Sequence, residues 1–298
     1  MKRTIALVLL LAGSAHAQEP AKSDTLPYRV KQNDSLAIIA SEYYGDRSKT
    51  AFITAENKLT KPVRQGEKLR VPIMREVTTS PGDTFQALAA ALLGDPLRGA
   101  FLAEINGMAP DDNLAAGTPI LVPFTVQHTA DKTESLKELA STYYGDGKFA
   151  DVLKRYNNLD KPALEKGETI TIPSFNVKMH PAKIPVPDAE SKLRRERRRD
   201  NSRLAASAIP IARHAWRIGD FATVRKTLDG IDTAFIELAP AIEIGILLGS
   251  AYVAFDSEKD ALDTFKRVID RRPSQKLRKV DHSPKVLAIW KKADGAVE

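Results

Sequence analysis

Nearly the same six residues occur three times along the chain. SEYYGD stands at Ser41–Asp46, AALLGD at Ala90–Asp95 and STYYGD at Ser141–Asp146. The match extends in both directions. Leu36, Phe85 and Leu136 align before it, with Ala40, Ala89 and Ala140. Asn57, Asn106 and Asn157 align after it, followed by Gly66, Gly117 and Gly167, and then by LRVP, ILVP and ITIP. The spacing is 49 residues from Ala40 to Ala89 and 51 from Ala89 to Ala140. A period of this size requires a series of small similar units rather than one continuous core.

Each unit reads in the same physical order. The opening runs YRVK, REVTT and TVQHT favour strands. Asp34-Ser35, Asp83-Thr84 and Glu134-Ser135 follow, where a side-chain oxygen accepts from orphan N–H groups at a helix start. Leu36, Ile39, Ala40 and Tyr43 have helical spacing. The glycine of YGD or LGD then suits a left-handed helix end. A second helix runs to the asparagine, and a glycine-containing loop leads into a strand ending at Pro72, Pro123 or Pro173. Tyr43 and Tyr143 are expected to pack in small cores with their phenol tips at the surface, because the middle unit carries Leu92-Leu93 instead.

The stretch YRVKQNDSLAIIASEYYGD, with Asn57 and GEKLRVP after it, resembles a LysM domain, and so do the other two units. The middle one has the turn SPGDTF in full. The resemblance covers Tyr28 to about Ser174. It implies a βααβ fold and binding to polymers that contain N-acetylglucosamine, such as peptidoglycan or chitin. It also implies where the sugar lies: in a shallow groove between the loop entering the first helix and the loop leaving the second. By position, the first unit offers Asn33, Asp34, Ser35 and Leu36 facing Leu59, Thr60 and Lys61. The second offers Gly82, Asp83, Thr84 and Phe85 facing Gly107, Met108 and Ala109. The third offers Thr133, Glu134, Ser135 and Leu136 facing Leu159, Asp160 and Lys161. Backbone groups at helix ends suit the acetamido amide, and an apolar side chain suits its methyl. Helix capping alone also accounts for the Asp, Ser and Thr residues. Asn33 replaces a glycine usual in the family, which leaves that turn less free. Three weak sites in tandem on a repeating polymer would gain by effective concentration.

The pattern stops after Ser174. Pro181, Pro185 and Pro187 mark an extended linker, and KLRRERRR (192–199) follows as a solvated helical face or a contact for acidic surfaces. Further on, Leu248, Gly249, Tyr252, Ala261, Phe265 and Pro273 have the spacing of a tetratricopeptide repeat, which that segment resembles. A weaker copy runs through Ile211, Ala212, Ala215, Gly219, Val224 and Leu228. Ser283 and Pro284 open a last helix carrying Ile289 and Trp290. This resemblance implies a protein-binding surface. The expected class is α+β: three tandem βααβ LysM-like units over 28–74, 75–124 and 125–174, a Pro-rich and basic linker over 175–202, and an all-α TPR-like domain over 203–298.

The start MKR, the apolar run TIALVLLLAG and Ala15-His16-Ala17 read as a signal peptide over 1–17, followed by a short linker over 18–27. An exported protein is expected, in the periplasm first, with secretion or cell-wall association as alternatives. The 298 residues contain no cysteine, which excludes disulfides and thiolate chemistry. His16, His128, His180, His214 and His282 form no metal or catalytic spacing. No cofactor, metal, nucleic-acid partner or mature transmembrane segment is read. The net charge of +7 falls by two when Lys2 and Arg3 are removed. A carboxylate pair among the 38 acids stays open as a catalytic device. The expectation is a non-enzymatic peptidoglycan-binding scaffold or adaptor. The alternatives are a cell-wall hydrolase or its targeting subunit, and an assembly protein whose units have lost sugar affinity.

Overall fold

The computed structural model describes residues 24–298. The expected signal peptide and most of the linker 18–27 lie outside the described residues. The order strand, helix, helix, strand occurs three times. It comprises β1 (Thr25–Arg29), α1 (Leu36–Tyr44), α2 (Thr50–Asn57) and β2 (Lys68–Pro72), then β3 (Arg75–Thr78), α3 (Phe85–Leu93), α4 (Gly99–Ile105) and β4 (Pro119–Val122). The third set is β5 (Thr125–Thr129), a short β6 (Glu134–Ser135), α5 (Leu136–Tyr144), α6 (Ala150–Tyr156), a short β7 (Ala163–Leu164) and β8 (Thr169–Pro173). The outer strands pair antiparallel, with Tyr28 opposite Leu69, Val77 opposite Ile120 and His128 opposite Ile170.

The repeated asparagine explains why each unit holds together. Asn57 Nδ2 donates to the Ile53 and Arg70 carbonyls, and its Oδ1 accepts from Arg70 N. Asn106 makes the same three bonds to Leu102 and Leu121. Asn157 makes them to Leu153 and Thr171. One amide thus joins the end of the second helix to the last strand, pairing the strand's N–H and C=O as a backbone partner would. Gly45, Gly94 and Gly145 end the first helices at φ of 66°, 78° and 87°, the left-handed cap that glycine takes without strain.

The three units do not stand in a row. The first and third share one core. Phe52 meets Phe124 with ring centroids at 5.2 Å and Tyr143 at 5.3 Å, and Tyr44 stacks on Phe124 at 5.5 Å. Both Tyr43 and Tyr143 are buried. The Tyr143 hydroxyl meets His128 Nδ1 at 3.1 Å rather than solvent, against the expectation of exposed phenol tips. Tyr44 and Tyr144 donate to the Pro72 and Pro173 carbonyls. Lys49 is 4% exposed, and its Nζ donates to the Tyr143 and Tyr144 carbonyls and to Asn176 Oδ1. Its cation sits at the C-terminal, negative end of α5. The second unit keeps a smaller core of its own, centred on Phe85, Leu102 and Ile120.

The rest of the chain is helical: α7 (Ala189–Arg217), α8 (Phe221–Leu228), α9 (Leu238–Ala254), α10 (Glu258–Arg271) and α11 (Pro284–Lys292). Two-residue strands β9 (Lys276–Leu277) and β10 (Ala296–Val297) pair in parallel beside α11. α7 starts at Ala189, so the basic run read as part of a linker is the first half of a 29-residue helix. Asp188 caps it through Ser191 N, and its arginines find acidic or carbonyl partners on both sides. Gly245 and Gly249 on α9 lie where a Cβ would collide with Val268 and Phe265 of α10, the close approach that those small residues permit. Ile211 faces outward at 55% exposure, although its spacing suggested core. No helix of the described residues is long and apolar enough to cross a membrane.

The second unit docks on this helical region. Arg195 pairs with Glu76 at 2.6 Å and donates to Thr78 Oγ1 at 2.8 Å. Ala116 N donates to the Ala234 carbonyl at 2.8 Å. At Gly117 a Cβ would collide with the Arg194 carbonyl, whereas Gly66 and Gly167 face open space. All three have φ between 82° and 89°, so alanine strains each backbone alike. Gly117→Ala is therefore expected to destabilise the chain by at least about 1 kcal/mol more than Gly66→Ala or Gly167→Ala, through overpacking, as read by urea unfolding. Lys49→Met, which removes the buried donor to the Tyr143 carbonyl and to Asn176 Oδ1, is expected to cost about 1–3 kcal/mol in the same assay.

Candidate functional site

Three helix starts carry the residues expected to contact sugar. Ser35, Thr84 and Ser135 each accept from the backbone N–H three residues on, at 3.3, 3.1 and 3.2 Å. They are helix caps. Asp34 Oδ2 accepts from Lys31 N and from the Tyr28 hydroxyl, both at 2.7 Å. Asp83 Oδ2 accepts from Ser80 N at 2.7 Å. Glu134 meets His128 Nε2 at 2.8 Å. Asn33 takes φ of 64° and Gly82 takes 86°. Asparagine thus reaches the left-handed turn assigned to glycine, as its short side chain allows.

The walls opposite these helix starts differ among the units. In the third, β6 pairs with β7, so Glu134 lies opposite Leu164 and Ser135 opposite Ala163. Leu136 N donates to the Pro162 carbonyl at 2.8 Å. The two walls are joined by main-chain bonds, and the groups a sugar amide would need are already used. Leu136 is 2% exposed, Leu159 packs at the edge of the shared core and Asp160 is exposed. In the first unit, Leu36 and Leu59 are half-buried against that same core and Thr60 is exposed. The Tyr28–Asp34 bond ties its loop to β1.

In the second unit the walls part. Val77 stands where Tyr28 and His128 hold their loops, and it offers no polar atom. A cavity of about 330 Å³ opens there. Gly82, Asp83, Thr84 and Gln86 line one side, and the 110–114 loop lines the other. Ala234 and Arg271 of the helical region complete it. Gly82, Asp83 and Thr84 are therefore brought together as expected from position. Phe85 is wholly buried in the unit's core. Gly107, Met108 and Ala109 do not line the cavity. Gly107 N and Met108 N close the end of α4 through the Glu104 and Ala103 carbonyls, and Ala109 N donates to Asp112 Oδ2. The 110–114 wall, Gln86 and Arg271 escaped the sequence reading. One signal for the wall was present: eleven positions separate Asn106 from Gly117, against nine from Asn57 to Gly66 and ten from Asn157 to Gly167. Nothing local marks Arg271.

The geometry of this unit agrees with a comparison to known families. Residues 77–123 match the LysM domain. The match runs from the second half of β3 to just past β4, and so contains the helix start and the loop that line the cavity. Two curated relatives from Mycobacterium tuberculosis are Esterase MT1326 (strain CDC 1551 / Oshkosh) and Esterase Rv1288 (strain ATCC 25618 / H37Rv). Each is 26% identical over 148 residues, 49% of this chain and 32% of the relative. The chain thus spans about a third of the length of the curated relatives it matches. Among the described residues, no group of three or more His, Asp or Glu is placed to hold a metal ion.

The turn carboxylates impose a pH dependence. The Lys31 backbone N–H, then the Tyr28 hydroxyl, hold Asp34 below the ordinary carboxylate range. The Ser135 backbone N–H does the same for Glu138, and the Ser191 backbone N–H for Asp188. A depressed folded pKa means that the unfolded chain takes up protons first. The stability these groups contribute is complete above the unfolded carboxylate pKa of about 4 and is lost as pH falls through the lower folded values. Thermal midpoints are expected to decline slightly as pH falls through the ordinary histidine range, because burial lowers the His282 pKa, and to fall most steeply below about pH 4. Asp34→Asn is expected to make that decline shallower.

Proposed function

We propose that the protein is a non-enzymatic binder of N-acetylglucosamine-containing glycan, peptidoglycan above all. In this reading it grips the polymer through the second unit and presents its helical region to a protein partner as a cell-envelope scaffold or adaptor. The single observation that carries the reading is the open cavity inside the segment that matches the LysM domain, between the start of α3 and the 110–114 loop. Its lining suits a saccharide. Carboxylate oxygens of Asp83, Asp111 and Asp112 accept from hydroxyls, and Gln86 adds a donor and an acceptor. The first and third units then act chiefly as a rigid support, because their loops are tied or zipped shut. Export to the periplasm belongs to the same proposal and rests on residues 1–17 of the sequence.

A second reading, that the chain is or targets a wall hydrolase, draws on the esterase names of the relatives. Those names belong to proteins of which this chain covers 32%.

The binding reading is tested by co-sedimentation with purified sacculi and by titration with chitin oligosaccharide. The chain is expected to pellet with sacculi and to bind oligosaccharide with one site per molecule. Gln86→Trp, which fills the cavity from an exposed position on α3, is expected to weaken binding by tenfold or more, about 1.4 kcal/mol. Recovery of the wild-type chain in the supernatant would contradict the reading. Clearing of embedded peptidoglycan in a zymogram, or release of acetate from an acetylated wall, would favour the hydrolase.

A further inference from the structure

The end of the second-unit cavity is built by a different part of the chain. Arg271 closes α10 and reaches across to the LysM segment. Its Nε and Nη2 both donate to Asn113 Oδ1, at 3.3 and 3.0 Å. Nη1 donates to the Thr233 carbonyl at 2.6 Å, and Nη2 also to the Ile236 carbonyl at 3.3 Å. A guanidinium has five N–H donors. These contacts use four of them, which leaves one N–H on Nη1. The side chain is held at four points, so presenting that donor to a ligand costs little further ordering. The backbone bond from Ala116 to Ala234 fixes the same edge.

The other cavity walls are rich in acceptors, with the carboxylates of Asp83, Asp111 and Asp112. A saccharide has both hydroxyl donors and acceptor oxygens on its ring, hydroxyl and acetamido groups. The acceptor-rich walls satisfy the first kind. Arg271 is the one cationic donor among the residues that line the cavity.

We propose that this groove is a composite saccharide site in which Arg271 of the helical region donates directly to the bound glycan. The proposal rests on the reading of the second unit as the saccharide-binding one. It assigns the helical region a part in ligand recognition besides any partner it takes.

The test is calorimetric titration of the full chain with chitotetraose, comparing wild type, Arg271→Gln and Arg195→Ala. Arg195 joins α7 to Glu76 and Thr78 and does not line the cavity. Arg271→Gln is expected to weaken binding about tenfold, the scale of a lost charge-assisted hydrogen bond. Arg195→Ala is expected to stay within twofold. Should Arg271→Gln fail to give a cooperative melt, Arg271→Lys carries the comparison, with weakening again expected because an ammonium lacks the fork that holds Asn113. Wild-type affinity in the Arg271 variant would overturn the proposal. Equal losses in the Arg271 and Arg195 variants would also overturn it, since the effect would then come from docking alone. If Gln86→Trp abolishes binding while Arg271→Gln does not alter it, the saccharide reading stands and the composite site falls. If the wild type binds no oligosaccharide, both fall.

Discussion

Phe52 and Tyr44 of the first unit meet Phe124 and Tyr143 at the third in one aromatic seam, and Lys49 enters it with its cation on the last carbonyls of α5. Burying a lysine is costly unless its charge finds partners. Here two carbonyls and the Asn176 side chain offset much of that cost. The seam uses the helix faces of both units for each other. It joins residues far apart in sequence, Lys49 to Tyr143 across 94 positions, and leaves the second unit, with leucines in place of the tyrosines, to settle elsewhere. That unit touches the third through Phe101 on Tyr156 and Arg98 over the same ring. Its larger commitment is to the helical region, through Gly117, Thr78, Glu76 and Ala116.

This division of labour decides which loop pair stays open. The βααβ framework is nearly the same in each unit, down to the three bonds of its asparagine. The differences lie in the loops around it. Where an aromatic or histidine on the first strand reaches the acidic residue before the cap, the loop is tied down, as in Tyr28–Asp34 and His128–Glu134. Where the opposing loop pairs antiparallel with the helix start, main-chain bonds zip the cleft, as in the third unit. The second unit has neither device and has the longest return loop. Its cleft therefore remains, and the helical region supplies the missing end.

Much of this was legible in the sequence because it depends on short-range chemistry. Serine and threonine before an apolar run are caps, glycine after it is a left-handed helix end, and an element order repeated every 50 residues or so follows from those signals. Asn33 shows the limit of such rules: a glycine position can be met by a residue with its own route to the left-handed region. The tyrosine pairs were readable as packing residues. That Tyr44 and Tyr144 bond the carbonyls of Pro72 and Pro173 was not, because a hydroxyl's partner depends on tertiary distance. The arginine run shows the same boundary. Its charge pattern gives a helix, but its partners Glu76, Thr78 and Asp232 lie far along the chain. Loop pairing across the third cleft, and Arg271 at the second, are likewise products of the assembled fold.

The central claim is that one of three similar units keeps an open saccharide cleft. Backbone amide chemical-shift mapping by NMR, with the isotope-labelled chain titrated with chitotetraose, tests it most directly. The account predicts perturbations concentrated at 82–86 and 110–114, with a smaller set at 233–236, and unchanged signals at 134–136 and 162–164. Equal perturbation of all three helix starts, or shifts confined to the first or third unit, would contradict it.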